Sequence, residues 1–236
     1  MAGQFQQDKL AFQTCEYPYV VYVPREYGQE ENCQEKNWPA ILFLHGSGER
    51  GNDGWKQSWE GIGRAVWENP HLYPAFIIMP QIPRWMEWKE DGLVVAVKVL
   101  DKVVQEFNID PDRICLTGLS LGGSGAWNLA MQHPHMFASV IPIAAYSRPD
   151  DQIKKLTDLP IWSFHGARDE ICECEHARDM VRALEQLGSA RVRYTEYADA
   201  GHVETWQRAY ADEAMARWLL AQRRAGPAPG RRAGTK

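Results

Sequence analysis

RICLTGLSLGGSGAWNLAMQH, Arg113 to His133, is the stretch that decides the fold. Ile114 to Thr117 form a short apolar and β-branched run, the pattern of a strand buried on both faces. GLSLG, Gly118 to Gly122, then turns the chain, and from Ser120 onward the residues follow a helical pattern that stops before Pro134. A strand that passes straight into a helix is the joint of a layered α/β sheet, and here a serine stands at the corner. Gly118 and Gly122 lack a Cβ, so the turn can tighten and the helix can lie close against the strand.

Further strands are predicted on both sides of this joint at Tyr17–Val23, Ala40–Leu44, Phe76–Met79, Ser139–Ala144, Ile161–Phe164 and Val192–Tyr197, with a short one near Leu10–Phe12. AILFL, FIIM and VIPIAA are continuous apolar runs rather than alternating ones, as in a mostly parallel sheet. Between them lie helical stretches. Leu93, Val97, Leu100, Val104 and Phe107 recur at steps of four and three, marking a helix over Gly92–Phe107. Others are expected over Ser120–His133, Glu173–Leu187 and Thr205–Arg223. The fold class that follows is α/β, a mostly parallel sheet of about eight strands with helices on both faces. One domain is expected over residues 1–222, with a disordered basic tail over 223–236, where no apolar anchor occurs.

Composition excludes several classes of function. Of 236 residues, 44% are hydrophobic and 24% charged, an ordinary globular balance. The net charge is −5, but the last fourteen residues hold five basic groups and no acid, so the body carries 21 basic against 31 acidic groups. Such a body repels nucleic acid and anionic membrane surfaces. Cys15, Cys33, Cys115, Cys172 and Cys174 are odd in number and irregularly spaced, which argues against a disulfide framework. No basic and apolar leader is visible, and no run of about eighteen apolar residues could span a membrane. The expectation is a cytoplasmic protein; oligomeric state is not legible.

In open α/β sheets, ligands sit beyond the carboxyl ends of the strands. Three reactive side chains fall there. Ser120 lies in the context a nucleophile elbow requires. Asp169, in FHGARDE after Ile161–Phe164, can hold an imidazole in the right tautomer and stabilise its protonated form. Asp158 and Asp199 are its rivals. His202, in DAGHVETW, follows the last strand and can accept the proton of Ser120. The order Ser, Asp, His is that of α/β-hydrolases rather than of chymotrypsin-like or subtilisin-like enzymes. A histidine base also predicts activity that rises with pH through the histidine range, about 6.5 when unperturbed.

LHGSGERG, Leu44 to Gly51, supplies a glycine-rich loop after Ala40–Leu44. A tetrahedral oxyanion needs backbone donors: Leu121, just after the serine, and Ser47 or Gly48 from this loop. The loop lacks the G-x-x-x-x-G-K-[ST] pattern of a phosphate cradle. His45 and His165, each before a glycine at a strand end, read as structural. CECEH, Cys172 to His176, has no second cluster to complete a zinc site, so no metal and no cofactor are expected. Trp55, Trp59, Trp85, Trp88 and Trp206 fall on or beside these loops, either as an aromatic acyl pocket or as loop packing. Glu49, Arg50 and Asp53 read as a loop ion pair.

YVVYVPREY, FLHGSGERG, MPQIPRW, GLSLGG, FHGARDE and GHVETWQRAY, in that order, resemble the serine esterases of the α/β-hydrolase superfamily, in particular its phospholipase/carboxylesterase and feruloyl-esterase or polyhydroxyalkanoate-depolymerase-like groups. The resemblance covers approximately Tyr17 to Leu220. It implies an α/β-hydrolase fold, an oxyanion hole formed by Ser47 and Leu121, and an acyl site bordered by Trp85 or Trp88, to which Trp206 is added. Dienelactone hydrolases share the scaffold but carry cysteine at the elbow, where this chain has Ser120. The chain departs from the family at CECEH, where an apolar-proline segment is usual. The function implied is a serine carboxylesterase acting on small-molecule esters with short-chain or aromatic, feruloyl-like acyl groups. A lysophospholipase or acyl-protein thioesterase is the alternative on the same triad, and a non-catalytic hydrolase-fold binding protein the alternative from another class.

Overall fold

Residues Ala40 to Leu44 show why this sheet needs cover on both sides. Ala40, Leu42 and Leu44 enter one hydrophobic core, while Ile41 and Phe43 enter a second. Side chains alternate across a strand, so a run that is apolar at every position is stable only with a packed layer on each face. The computed structural model, which describes residues 3–28 and 37–224, meets that demand.

Eight strands, β1 Gln4–Phe12, β2 Cys15–Val23, β3 Trp38–Leu44, β4 Phe76–Pro80, β5 Ile109–Leu119, β6 Ser139–Ile143, β7 Ile161–Gly166 and β8 Val192–Tyr197, form one sheet in the order β1-β2-β4-β3-β5-β6-β7-β8. β1 and β2 form an antiparallel hairpin, and β2 pairs antiparallel with β4. From β4 onward all neighbours are parallel. The helices are α1 Ile62–Glu68, α2 Glu90–Glu106, α3 Leu121–Gln132, α4 Glu175–Gln186, α5 His202–Ala211 and α6 Glu213–Ala221. Val99 of α2, Trp127 of α3 and Met180 of α4 fill one core. Val66 of α1, Tyr210 of α5 and Leu219 of α6 fill the other. This is the mostly parallel sheet with helices on both faces that the sequence predicts.

Four elements differ from expectation. β1 is nine residues long rather than a short strand near Leu10–Phe12. Its QFQQDK half is polar because it lies at the sheet edge, where no layer selects apolar residues. The seven-residue α1 was not predicted; only Ile62 and Val66, four apart, betray it. The single helix expected over Thr205–Arg223 is two. Asp212 adopts an extended conformation, and its carboxylate accepts the N–H of Ala214 at 2.7 Å, ending α5 and capping α6. Finally, the chain is anchored beyond residue 222. Arg223 bonds Asp110 at 2.8 Å, and Arg224 donates to the carbonyl of His135 at 3.0 Å. The rest of the expected tail, and Cys33, lie outside the described residues.

Candidate active site

Ser120 sits at the corner between β5 and α3 with φ 52° and ψ −118°. A non-glycine residue there costs on the order of 1–3 kcal/mol, so the surroundings must hold it. They do: Ser120 donates its N–H to Ile143 O at 2.9 Å and accepts that of Ser124 at 3.1 Å. The flanking glycines are set by close approach. A Cβ on Gly122 would lie 1.8 Å from Leu44 O, and one on Gly118 would lie 2.2 Å from Gly122 O.

His202 opens α5, and its Nε2 stands 2.9 Å from Ser120 Oγ. Its Nδ1 is 2.6 Å from Asp169 Oδ2. The carboxylate can only accept, so Nδ1 carries the hydrogen and Nε2 is left to accept from the serine hydroxyl. Trp206 meets the imidazole edge to face at 5.0 Å, and its Nε1 donates to Glu60 at 3.2 Å, fixing the ring that backs the histidine.

Asp169 lies on the loop after β7 and is buried. Its Oδ1 accepts the backbone N–H groups of Ile171 at 2.9 Å and Cys172 at 2.8 Å. Its Oδ2 accepts from His202 and lies 3.2 Å from His165 Nε2. Burial alone would raise its pKa, but the hydrogen bonds from His165, His202, Cys172 and Ile171 outweigh burial and hold the carboxyl well below the ordinary aspartate range. The two rival aspartates are elsewhere. Asp199 pairs with Arg208 at 2.6 Å on the surface, and Asp158 is exposed.

The loop after β3 is pinned by His45. Its Nδ1 donates to Gly46 O at 2.7 Å, and its Nε2 accepts the N–H of Ile82 at 3.2 Å. Burial pushes its pKa down to about 4, so the ring is neutral at ordinary pH. Arg50 does not form the ion pair expected with Glu49 or Asp53. Its Nε donates to Ser47 O at 3.1 Å and its Nη1 to Arg84 O at 3.0 Å, while Asp53 faces Lys56 at 3.8 Å. A guanidinium offers five donors in a rigid fork, and backbone carbonyls at a loop crossing take them up as well as carboxylates do. Ser47, Ser120 and Leu121 line one open hollow of about 470 Å³. Leu121 begins α3, where the first N–H groups have no partner within the helix and are free to meet developing negative charge.

The tryptophans expected at the acyl site are not in that hollow. Trp88 is 1% exposed in the core; its Nε1 donates to His45 O at 2.8 Å, and a Cβ on Gly125 would meet its own Cβ at 2.4 Å. Trp85 is 72% exposed and borders a separate hollow with Met86 and Lys89. Trp206 lies behind His202 rather than beside the serine. The other residues that line the hollow are Arg50, Glu87, Tyr146, Arg148, Ile171, Cys172, Glu173 and His176. Of these, sequence reasoning leaves out Glu87, Tyr146, Arg148 and Ile171, reads Arg50 as part of an ion pair, and weighs Cys172 to His176 only as a metal site. Their signal was positional: Tyr146 and Arg148 follow β6, the parallel neighbour of β5, and Cys172 to His176 follow β7. The Cys172 thiol faces Ser120, and burial pushes its pKa up to about 11. At neutral pH it is therefore an uncharged neighbour, not a competing nucleophile.

A family model named Esterase and described as "Putative esterase" matches residues 80–221. Among solved structures, a thermostable esterase superposes with a TM-score of 0.82 at 31% identity, over 93% of this chain and 63% of that one. Acyl-protein thioesterase 1 homolog 2 of Dictyostelium discoideum is 23% identical over 189 residues, 69% of this chain and 84% of that protein. An uncharacterized secreted protein of Arthroderma benhamiae is 24% identical over 232 residues, 78% of this chain. The chain spans 24% of the length of that fungal protein and under two thirds of the thermostable esterase.

Proposed function

This chain belongs to the esterase family, and on that premise we propose that it is a serine carboxylesterase acting on small, hydrophilic or short-chain esters through Ser120, His202 and Asp169. The observation that supports this best is the continuous relay from Ser120 Oγ to His202 Nε2 at 2.9 Å and from His202 Nδ1 to Asp169 Oδ2 at 2.6 Å. A binding protein without chemistry has no need to hold a serine in a strained conformation against an imidazole.

The reaction runs in two halves. Ser120 Oγ attacks the ester carbonyl and passes its proton to His202 Nε2, while Asp169 stabilises the imidazolium that results. The N–H groups of Leu121 and Ser47 hold the oxyanion. The tetrahedral species collapses, the C–O bond to the alcohol breaks, and the alcohol leaves with the proton from Nε2. Water then attacks the acyl-enzyme by the same sequence, His202 taking its proton and returning it to Ser120 as the acid departs. Nucleophile, base and oxyanion donors all come from the chain, and the partner is a small-molecule ester. No helix among the described residues is long and apolar enough to cross a membrane.

The lining of the hollow sets the acyl preference. A long acyl chain needs an apolar slot, as a lysophospholipase or an acyl-protein thioesterase would provide. Here the nucleophile opens among Arg50, Glu87, Arg148 and Glu173, and the apolar lining is confined to Leu121, Tyr146, Ile171 and Cys172. Burying a chain of methylenes against these groups would strip water from charges without returning a bond. On a series of p-nitrophenyl esters from acetate to laurate, with methyl ferulate alongside, kcat/KM is expected to peak at acetate or butyrate. It should fall by about tenfold or more by laurate. A maximum at laurate would instead establish the long-acyl reading, and a maximum at ferulate the aromatic one.

A further inference from the structure

His165 stands outside the Ser120–His202–Asp169 relay yet touches it. It belongs to β7 and is fully buried. Its Nε2 lies 2.8 Å from Cys172 O and 3.2 Å from Asp169 Oδ2. Both are acceptors, so Nε2 carries the hydrogen. Its Nδ1 is buried without a hydrogen-bond partner. Oδ2 of Asp169 thus faces two imidazole N–H groups at once, that of His165 being shared with the Cys172 carbonyl.

We propose that His165 is a positioning residue that moderates how strongly Asp169 pulls on His202, an inference that rests on the acyl-transfer reading above. A carboxylate oxygen that accepts a second N–H bond has part of its charge engaged, so it stabilises the His202 imidazolium less. The free-base imidazole needed to start the reaction then persists to lower pH. The same N–H ties the Cys172 carbonyl to Asp169, closing the loop whose own N–H groups hold Oδ1. The aspartate is thereby fixed on both oxygens by a rigid ring of donors, and His202 meets an acceptor of set direction.

Other charged or titratable groups surround the pair. Glu196, opposite His165 on β8, is engaged by Arg178 at 2.7 Å and Tyr194 at 2.6 Å. Glu60 faces the site through Trp206, Glu204 approaches Gly201, and Arg168 precedes Asp169. Burial raises the pKa of the Cys172 thiol to about 11. A substitution at 165 removes none of these groups.

The test compares pH profiles of kcat/KM on a short-chain ester for wild type, His165→Leu, His165→Asn and His165→Gln. Leu has no donor, and the Asn amide is too short to replace Nε2, whereas the longer Gln amide can reach its acceptors. The acid limb should move up by about half to one pH unit in the Leu and Asn variants, a threefold to tenfold loss at the foot of the limb that shrinks on the plateau. Gln should return it toward wild type. The low-field Nδ1 proton resonance of His202 should move further downfield in the Leu and Asn variants. Should the Leu variant fail to fold, the Asn and Gln pair carries the comparison. A limb that stays in place in folded variants, with kcat/KM reduced equally at every pH, would overturn the proposal and leave His165 a purely structural residue. A wild-type profile with no acid limb would overturn the acyl-transfer reading and this inference together, an outcome distinct from an unmoved limb.

Discussion

Ser120→Ala should lower kcat by at least about 10³-fold on any ester the protein turns over, with KM little changed and the fold intact. The side chain removed is one hydroxyl. The backbone strain at residue 120 persists, because φ 52° is imposed by the bonds of its N–H and C=O to Ile143 and Ser124, not by Oγ. What disappears is the nucleophile, while the oxyanion donors of Ser47 and Leu121 remain. Residual turnover over water would be their contribution alone. Circular dichroism and urea midpoints of both proteins would show that the loss is chemical. Normal turnover in the alanine variant would mean that the elbow holds the wrong group.

Asp169→Asn is expected to be nearly as severe, on the order of 10³ to 10⁴ in kcat, and the reason lies in the count of donors. Each oxygen of Asp169 faces two N–H groups: Ile171 and Cys172 on one, His202 and, shared with the Cys172 carbonyl, His165 on the other. An amide NH₂ in either orientation faces two donors with a donor. If it faces His202, the imidazole turns to its other tautomer, its Nε2 acquires the hydrogen, and it can no longer accept from Ser120. If it faces Ile171 and Cys172, the loop loses its anchor. Either way a buried group goes unsatisfied, costing about 1–3 kcal/mol of stability beside the lost activity.

The pH dependence of stability distinguishes the same variant. The native carboxyl is held below its ordinary value of 3.8, so folding releases a proton that the unfolded chain retains at low pH. Its contribution is therefore complete above the unfolded aspartate range and is lost as pH falls through and below about 4. Wild type should show that acid slope in its urea midpoints, and Asp169→Asn should show a shallower one. Equal slopes would mean that the donors around Asp169 do not favour its ionised form.

How much of this could be read from the chain depends on which forces choose the residues. Parallel interior strands must be apolar on both faces, so AILFL and FIIM were legible. Edge strand β1 is under no such selection, and its polar half was invisible. The break at Asp212 was missed because DEAMARW continues the helical apolar spacing, while the cap depends on one carboxylate folding back to Ala214. Ser120, Asp169 and His202 stood out because each follows a strand, and in a parallel sheet that edge is common to all of them. The pocket was misjudged for a different reason. Whether a loop tryptophan faces the nucleophile or the core is decided by packing across several elements, as Trp88 shows: its Nε1 is taken by His45 and its ring lies against α3. Periodicity says nothing about such loops. The charged groups that replaced the tryptophans, Arg148 and Glu173 among them, carry no pattern apart from their place after β6 and β7.

The most direct test is to treat the protein with a fluorophosphonate at neutral pH and map the adduct by peptide mass spectrometry. A single phosphonyl group should appear on Ser120, because only a serine whose proton is drawn off by His202 attacks phosphorus at a useful rate. Adduct formation should vanish in Ser120→Ala. An unlabelled wild type, or a label on any other residue, would contradict the assignment of Ser120 as the nucleophile and the mechanism built on it.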